Sequence, residues 1–124
     1  MAETLTVQME KILDEYSDRV KNVTRVAMQR VSRECVQKLR NTSPKKTGSY
    51  SRGWGTKKIV SRGDIADIIV CNKTDYQLTH LLENGHVVKN AKGTFGRTSP
   101  QKHIKPVEEW ANEELPAEIE RDLR

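Results

Sequence analysis

The sequence has few aromatic residues and no long hydrophobic run. Its 124 residues include one Phe, two Trp and three Tyr, and 31% of the residues are charged. The longest uninterrupted apolar stretch, Ile68 to Cys71, is far shorter than the roughly 20 residues that a membrane-spanning helix requires. The composition therefore predicts one small domain over residues 1–124 with a modest core, and it excludes a transmembrane helix.

The features of a secreted protein are also missing. Charged residues occupy positions 10, 11, 14 and 15, where a signal peptide would have its apolar run. The sequence contains two cysteines, Cys35 and Cys71, without the short spacing of a metal or redox motif. We therefore expect the chain to be made in a cytoplasm and both thiols to be buried as small apolar side chains.

Charges of both signs are present, but they are unevenly distributed. The net charge is +5, and residues 41–62 contain six basic residues and no acidic one. Residues 106–124 have the opposite bias, with two basic and seven acidic residues. This pattern predicts that the two segments pair, either within one chain or between neighbouring copies.

The first third of the chain has the periodicity of an amphipathic helix. Apolar residues recur at spacings of three and four from Leu5 to Leu39, and we predict one long helix over residues 3–40. Such a helix would be about 50 Å long, which is more than a compact chain of this size can cover. Its apolar face is expected to fold back or to be covered by another subunit.

The middle of the chain has the pattern of a β-hairpin over residues 47–72. Tyr50, Trp54 and Val60 share one parity, as one face of a strand requires, and the β-branched run from Ile65 to Cys71 is typical of a buried strand. A turn at residues 61–64 joins the two strands. The predicted fold class is therefore α+β, with a small antiparallel sheet built on this hairpin.

Three further segments complete the predicted fold. A short helix over residues 75–84 has Thr74 and Gln77 at capping-box spacing, and Gly85 ends it. Its expected inward stripe consists of Leu78, Leu81 and Leu82. Residues 89–102 are Gly- and Lys-rich without periodicity, which predicts a flexible loop. The last helix is predicted over residues 106–124, with a kink at Pro116.

One group of residues has the composition of a metal site. His80 and Glu83 are one helical turn apart, His86 follows, and His103 is a possible third imidazole ligand. Their order differs from the His-Glu-x-x-His motif and its inverse, and Gly85 ends the helix before His86. Hydrogen bonding at the helix end is the favoured role. No nucleophile or phosphate-loop motif is present, and no cofactor is expected.

Basic and aromatic residues alternate in the segment 45–62. Tyr50 and Trp54 lie among its six basic side chains, as in a surface that binds phosphates and stacks bases. No helix-turn-helix, zinc-finger or RNA-recognition signature accompanies them, and lysines on a strand edge also protect against aggregation. Nucleic-acid binding therefore stays open as an alternative.

Several short fragments match a known group of proteins in order and spacing. The fragments are Pro44–Tyr50, Gly53–Trp54, Val70–Asn72, Tyr76–His86 and His103–Val107. Together they resemble the small neck proteins of long-tailed bacteriophages and prophages, which are head-tail joining or tail-completion proteins. The resemblance covers residues 44–110.

The resemblance implies a structural virion protein rather than an enzyme. Such a protein would form a homo-oligomeric ring between head and tail, or at the end of the tail, and would contact other phage neck and tail proteins. Incidental contact with phage DNA is expected, but no membrane and no small-molecule substrate. Its location would be the head-tail interface of the virion, reached by assembly in the host bacterial cytoplasm.

Two sets of residues are expected to have these roles. The first set comprises core and interface residues: Thr47, Gly48, Tyr50, Gly53, Trp54, Tyr76, Leu82, Glu83, Gly85, His86, Pro106 and Trp110. The second set forms charge contacts between subunits, with Lys57, Lys58 and Arg62 against Glu108, Glu109, Glu113 and Glu114. A basic DNA-binding accessory protein and a small zinc hydrolase are the alternative functions.

Overall fold

The computed structural model describes residues 5–8, 18–44, 48–61, 63–85, 87–90 and 93–124. The elements are, in chain order, strand β1 (Leu5–Gln8), helix α1 (Asp18–Thr42), the one-turn helix α2 (Ser49–Arg52), strands β2 (Trp54–Ser61) and β3 (Asp64–Asn72), helix α3 (Tyr76–Asn84), strands β4 (Val87–Asn90) and β5 (Gly93–Arg97), and helix α4 (Ile104–Leu123). This combination is α+β, as the sequence predicts.

Strands β1, β3 and β2 form an antiparallel sheet in that order, with β3 in the centre. Trp54 pairs with Asn72 at one end of the β2–β3 hairpin, and Ser61 pairs with Asp64 at the other. The predicted turn over residues 61–64 is therefore confirmed. Strand β2 is at an edge of the sheet, and its register shifts between Ile59 and Val60.

Helix α1 packs one apolar face on this sheet. Its buried apolar residues recur at helical spacing and are Ala27, Met28, Val31, Cys35 and Leu39. Burial raises the pKa of Cys35 to about 11, and the charge of Glu34 adds to this while Lys38 opposes it. The other thiol, Cys71, is only half-buried.

Helix α4 lies antiparallel beside α1. The guanidinium of Arg19, near the start of α1, donates to the carbonyl of Leu123 at 3.2 Å, and the ammonium of Lys38, near its end, is 4.5 Å from the centre of the Trp110 ring. Val107 of α4 is buried in the same core as Trp54 and Val70 of the sheet. The two long helices and the sheet therefore share one core.

The predicted helix over residues 3–40 is wrong at its beginning and two residues short at its end. Leu5–Gln8 forms a strand, in which Leu5 is opposite Val70 of β3. The sequence Leu-Thr-Val-Gln alternates apolar and polar residues, so it fits a strand as well as a helix, and the open edge of β3 decides between them. The helix runs from Asp18 to Thr42 and is about 37 Å long.

The predicted hairpin over residues 47–72 begins too early. Ser49–Arg52 is a helical turn, and the strand starts at Trp54. Tyr50 therefore does not share a strand face with Trp54 and Val60. Gly48, with a φ of 82°, sets the backbone direction into this turn.

The flexible loop predicted over residues 89–102 is also corrected. Strands β4 and β5 pair antiparallel within it, with Asn90 opposite Gly93. Because its residues have no apolar alternation, their pattern gives no strand signal. The last helix begins at Ile104, two residues before the predicted start at 106, and continues through Pro116 to Leu123.

Helix α3 has the predicted extent but not the predicted orientation. It begins at Tyr76, and its end is confirmed at Gly85, whose φ is 74°. Leu78 and Leu81 are exposed, and the fully buried residues of the helix are Thr79 and Glu83. Within the described part of the chain, no helix is both long and apolar enough to span a membrane.

Candidate functional site

Three of the residues predicted as core or interface residues meet in a buried polar cluster. This cluster consists of Tyr50, Trp54, Asn72, Glu83 and His103, and each of these side chains is at most 5% exposed. It lies where the base of the β2–β3 hairpin, the end of α3 and the start of α4 meet. Tyr50, Trp54 and Glu83 are predicted structural residues, and His103 is predicted only as a possible metal ligand beside Glu83. Asn72 is not among the predicted site residues.

Glu83 is the centre of the cluster, because its carboxylate accepts three backbone hydrogen bonds. Oε1 accepts from the amides of His103 and Ile104 at 2.8 and 2.9 Å, and Oε2 accepts from the amide of Lys105 at 3.1 Å. These amides are at the start of α4, where backbone N–H groups have no partner in the helix. Glu83 of α3 therefore caps α4 across a separation of 20 residues.

The environment of Glu83 favours its charged form. Burial by itself would raise the pKa of this carboxyl, but the three amide donors and the nearby His103 ring lower it below its usual value. The negative charge is also next to the positive end of the α4 dipole. A buried carboxylate with this many donors is a structural anchor.

His103 links Glu83 to the aromatic side chains. Its Nδ1 is 3.1 Å from Oε1 of Glu83 and 2.6 Å from the carbonyl of Gln101. Because both of these atoms are acceptors, Nδ1 has the proton. In the neutral ring Nε2 then accepts from the hydroxyl of Tyr50 at 2.6 Å. Burial, with a smaller contribution from the charge of Glu83, raises the pKa of Tyr50 and keeps its hydroxyl protonated.

The three rings of the cluster pack edge to face. The Tyr50 centroid is 5.6 Å from that of Trp54 and 5.5 Å from that of His103. The indole Nε1 of Trp54 donates to the Ser43 hydroxyl at 2.7 Å, just beyond the end of α1. Edge-to-face pairs add about 0.5–1.5 kcal/mol each to the burial of their area. The cluster thus joins α1, α2, β2 and α4.

Asn72 fixes the end of the hairpin to this cluster. Its amide donates to the carbonyl of Tyr50 at 2.7 Å, and its Oδ1 accepts from the amide of Asp75 at 2.8 Å. Asp75 in turn accepts from the Ser49 hydroxyl at 2.7 Å. No side-chain hydrogen bond caps α3 itself, so the predicted capping box from Thr74 is absent among the described residues.

The metal-site residues do not converge as a ligand set. Glu83 and His103 are in contact, but their polar atoms bind backbone groups and Tyr50, and the His80 side chain is exposed. Within the described residues there is no group of three or more potential metal ligands. His86 lies outside the described residues, as do Thr47 and Arg62.

The remaining predicted interface residues are partly on the surface. Leu82 and Trp110 pack against the core, whereas Pro106 is exposed and Tyr76 is 58% exposed. Gly85, at the end of α3, has no room for a side chain, because a Cβ there would lie 2.5 Å from the Thr98 carbonyl oxygen.

Within the part of the chain that the structure describes, most of the predicted subunit charges have no ion pair inside the subunit. Lys57 and Lys58 are exposed on β2, and Glu109 and Glu113 are exposed on α4. Glu108 is half-buried. The exception is Glu114, whose Oε1 accepts from Arg121 of the same helix at 3.0 Å.

Sequence reasoning also missed a buried acid on α4. Glu118 is 1% exposed, and Nε of Arg30 on α1 lies 2.5 Å from its Oε1 without the alignment of a hydrogen bond. Burial raises the pKa of Glu118, and Arg30 partly offsets this. The available signal was the helical spacing that places residue 118 on the same face as Ala111 and Leu115.

A comparison with protein families identifies the class of this protein. Residues 3–85 match the family described as "Bacteriophage HK97-gp10, putative tail-component". The match includes β1 to α3 and covers about two thirds of the chain. The chain is a structural component of bacteriophage tails and belongs to the HK97-gp10-like family. This confirms the resemblance to phage neck and tail proteins.

The match also places the site within the family. Tyr50, Trp54, Asn72 and Glu83 lie inside the matched segment, and His103 and α4 follow it. Comparisons with curated proteins and with solved structures give no match. As a phage tail component, the protein belongs to the virion and acts with other tail proteins.

Proposed function

We propose that this protein is a neck or tail-completion subunit that assembles into a closed ring of identical copies. The observation that carries the proposal is the exposed edge of the sheet. Lys57, Lys58, Ile59 and Val60 are consecutive residues of β2, and all four are exposed. Because successive strand residues point to opposite faces, neither face of this part of β2 is covered.

This β2 surface, residues 57–60, combines basic and apolar side chains. Ile59 is 39% exposed and Val60 is 61% exposed, beside two lysines without an ion pair in the described structure. An exposed apolar edge is a site for contact with another chain, and lysines prevent it from pairing with a like edge. A fitting partner surface is therefore acidic and partly apolar.

The chain itself offers such a surface on α4. Glu109 and Glu113 are exposed one turn apart, and Glu108 is half-buried next to them. We define the α4 acidic face as these three residues. Glu114 contributes less, because Arg121 of the same helix neutralises it.

The two surfaces belong to different sides of one subunit. Helix α1 contacts β2 through Arg40, which donates to the Trp54 carbonyl at 2.9 Å, and contacts α4 through the pair of Arg30 and Glu118. Among the described residues no ion pair joins the β2 surface to the α4 acidic face within one subunit, so we infer that the two surfaces meet between copies. Such a contact is heterologous, and it closes into a ring when the rotation between copies permits.

The first test is the mass of the assembly as a function of salt. Sedimentation velocity at increasing sodium chloride concentration should show dissociation, because exposed charges are screened beyond about 10 Å at 0.1 M. A monomer at low salt and high protein concentration would contradict the ring, and a salt-insensitive oligomer would contradict its charged contacts.

The second test uses charge reversal on each side of the contact. The pair Lys57→Glu and Lys58→Glu should prevent assembly, and so should the pair Glu109→Lys and Glu113→Lys. A one-to-one mixture of the two variants restores opposite charges at every contact and should assemble. Arg33→Glu, at an exposed position of α1, is the control that should assemble normally.

Failure of the mixture to assemble would disprove the assigned contact. If a monomer instead binds duplex DNA with affinity that falls steeply with salt, the DNA-binding alternative would replace the ring.

A further inference from the structure

Helix α3 exposes three of its four apolar residues and fully buries two polar ones. Tyr76, Leu78 and Leu81 are 58%, 41% and 37% exposed, whereas Thr79 and Glu83 are fully buried. Amphipathic helices of globular proteins have the opposite arrangement. The buried positions are taken by Glu83 for the capping of α4, so the leucines on the opposite side are free for a contact outside the subunit.

A cluster of basic groups borders these apolar side chains. Arg97 donates to the backbone carbonyl of Asn84 at 3.3 Å, and the ammonium of Lys102 donates to its Oδ1 at 2.8 Å. The Asn84 amide is 3.2 Å from Nδ1 of His80 one turn earlier. Arg97 and Lys102 are both exposed, so they form one basic rim at the end of α3, next to the exposed His80 ring.

The nearby carboxylates do not neutralise this rim. Glu83 is buried under α4, and Asp75 is half-buried and accepts from the hydroxyls of Ser49 and Thr74 at 2.7 and 3.1 Å. The sequence from Lys73 to Lys105 contains only these two acidic residues and six basic ones. The surface is therefore apolar with a positive border.

We propose that the exposed side of α3 binds an amphipathic segment of another tail protein, one with apolar side chains flanked by carboxylates. Leu78 and Leu81 would pack against its apolar side chains, and Arg97 and Lys102 would pair with its carboxylates. This α3 surface consists of Tyr76, Leu78, His80, Leu81, Arg97 and Lys102. It is separate from the β2 surface and the α4 acidic face, so the inference goes beyond the proposed ring.

The charges argue against the two other occupants. A contact between two α3 surfaces would bring two basic rims together, and like charges across an interface reduce affinity. Nucleic acid would use the basic rim but would leave the leucines exposed. An acidic amphipathic partner satisfies both parts of the surface, in the manner of a helix that binds in a groove.

The test uses two synthetic peptides as probes. One is an amphipathic helix of leucine and glutamate, and the other has lysine in place of each glutamate with the same leucines. Fluorescence anisotropy of the labelled peptides, titrated with the full-length protein, gives their affinities. We expect the glutamate peptide to bind at least about tenfold more tightly than the lysine peptide.

Variants then locate the binding. The pair Leu78→Ser and Leu81→Ser should lower the affinity for the glutamate peptide by about tenfold or more, because two apolar contacts are lost. The pair Arg97→Glu and Lys102→Glu should reverse the preference between the peptides. Val26→Ser, at an apolar position of α1 that is 43% exposed, is the matched control and should not change the affinity.

Three outcomes would overturn the proposal: equal binding of both peptides, equal affinity of the control and the leucine variant, or a leucine variant with altered sedimentation. The last outcome would make α3 a contact between copies of this chain. Since the ring is tested by mass and the α3 surface by peptide affinity, failure of one is distinguishable from failure of the other.

Discussion

Gly53 shows how a single residue without a side chain holds the polar cluster together. A Cβ at this position would lie 2.2 Å from Oγ1 of Thr74 and 2.5 Å from Oδ1 of Asn72. Both atoms belong to the short turn that orients the end of the hairpin. The carbonyl of Gly53 also accepts from the amide of Lys73 at 2.8 Å, so its backbone cannot move aside without loss.

Replacement of this glycine should therefore destabilise the fold. We expect Gly53→Ala to lower the free energy of unfolding by about 1–3 kcal/mol, the usual cost of overpacking. Urea unfolding monitored by tryptophan fluorescence measures the change.

Gly55→Ala, two residues later on β2, is the matched control. Its Cβ would meet only the flexible Lys73 side chain, at 3.1 Å or more. This variant should be as stable as the parent protein or slightly more stable, because alanine is less flexible than glycine in the unfolded chain. Equal losses in both variants would mean that a general effect of replacing glycine, and not the contact with Asn72 and Thr74, accounts for the loss at Gly53.

At the scale of elements, α4 is a continuous helix that includes a proline. Pro116 is exposed and lies twelve residues after the start at Ile104. It has no amide to donate to the carbonyl of Asn112, and its ring crowds that carbonyl. The helix continues to Leu123 because tertiary contacts hold its second half. Leu115 packs against the buried cluster that contains Val107 and against the smaller one of Met28 and Ile68, and Glu118 pairs with α1. Tertiary contacts thus override an unfavourable local preference.

Pro116→Ala should stabilise α4. Proline in a helix interior costs about 3 kcal/mol relative to alanine, and part of this should be recovered as an increase of about 1–3 kcal/mol in the free energy of unfolding. Thermal unfolding followed by circular dichroism checks the prediction.

Asn112→Ala corrects for general helix propensity, because Asn112 is exposed on the same helix. Its free energy of unfolding should increase by only about 0.5 kcal/mol. If Pro116→Ala increases the free energy of unfolding by no more than this control, the proline imposes no strain on α4.

At the scale of the whole molecule, Glu83 connects the segment matched by the family with the helix that follows it. Its carboxylate is the only side chain of α3 among the described residues that hydrogen-bonds the start of α4. The Tyr50, Trp54 and His103 rings pack around the same point. Loss of the Glu83 charge should therefore weaken the docking of α4 on the rest of the molecule.

Glu83→Gln should be destabilising and should change the dependence of stability on pH. A neutral amide has one acceptor oxygen for three amide donors. We therefore expect the free energy of unfolding to fall by about 2 kcal/mol at neutral pH. Chemical unfolding at a series of pH values measures the loss.

The sign of the pH effect follows from the lowered pKa of Glu83. In the unfolded chain the carboxyl titrates near 4.5, so its stabilising contribution is complete above that pH and is lost as the pH falls towards the folded-state pKa. Glu118, whose pKa is raised, acts in the opposite direction. The difference between parent and Glu83→Gln should therefore shrink below pH 4.5, and a constant difference would contradict the ionised anchor.

Much of the fold is predictable from local patterns. The helical spacing of Ala27, Val31, Cys35 and Leu39 predicts the buried face of α1, and the Gly63 turn between two β-branched segments predicts the hairpin. Trp110, predicted as a core or interface residue, packs against the core beside the buried Val107. These features depend on the periodicity of neighbouring residues, which the sequence contains directly.

The errors occur where distant residues decide. Leu5–Gln8 becomes a strand because β3 has an open edge, and Leu78 and Leu81 face outward because Glu83 is required under α4. Of the predicted site, Tyr50, Trp54 and Glu83 do come together. The sequence groups His103 with Glu83 only as a possible metal ligand. Asn72 was missed because nothing in the order of residues 50, 72 and 83 indicates that they meet.

The sequence by itself determined the fold class, the positions of most elements and the membership in a phage tail family, because periodicity, turn residues and short motifs are local properties. Only the tertiary structure decided which side of α3 is buried, which acids are engaged inside the molecule and which charges remain on its surface. The physical reason is that burial and pairing depend on contacts between residues far apart in the chain, and these exist only after folding.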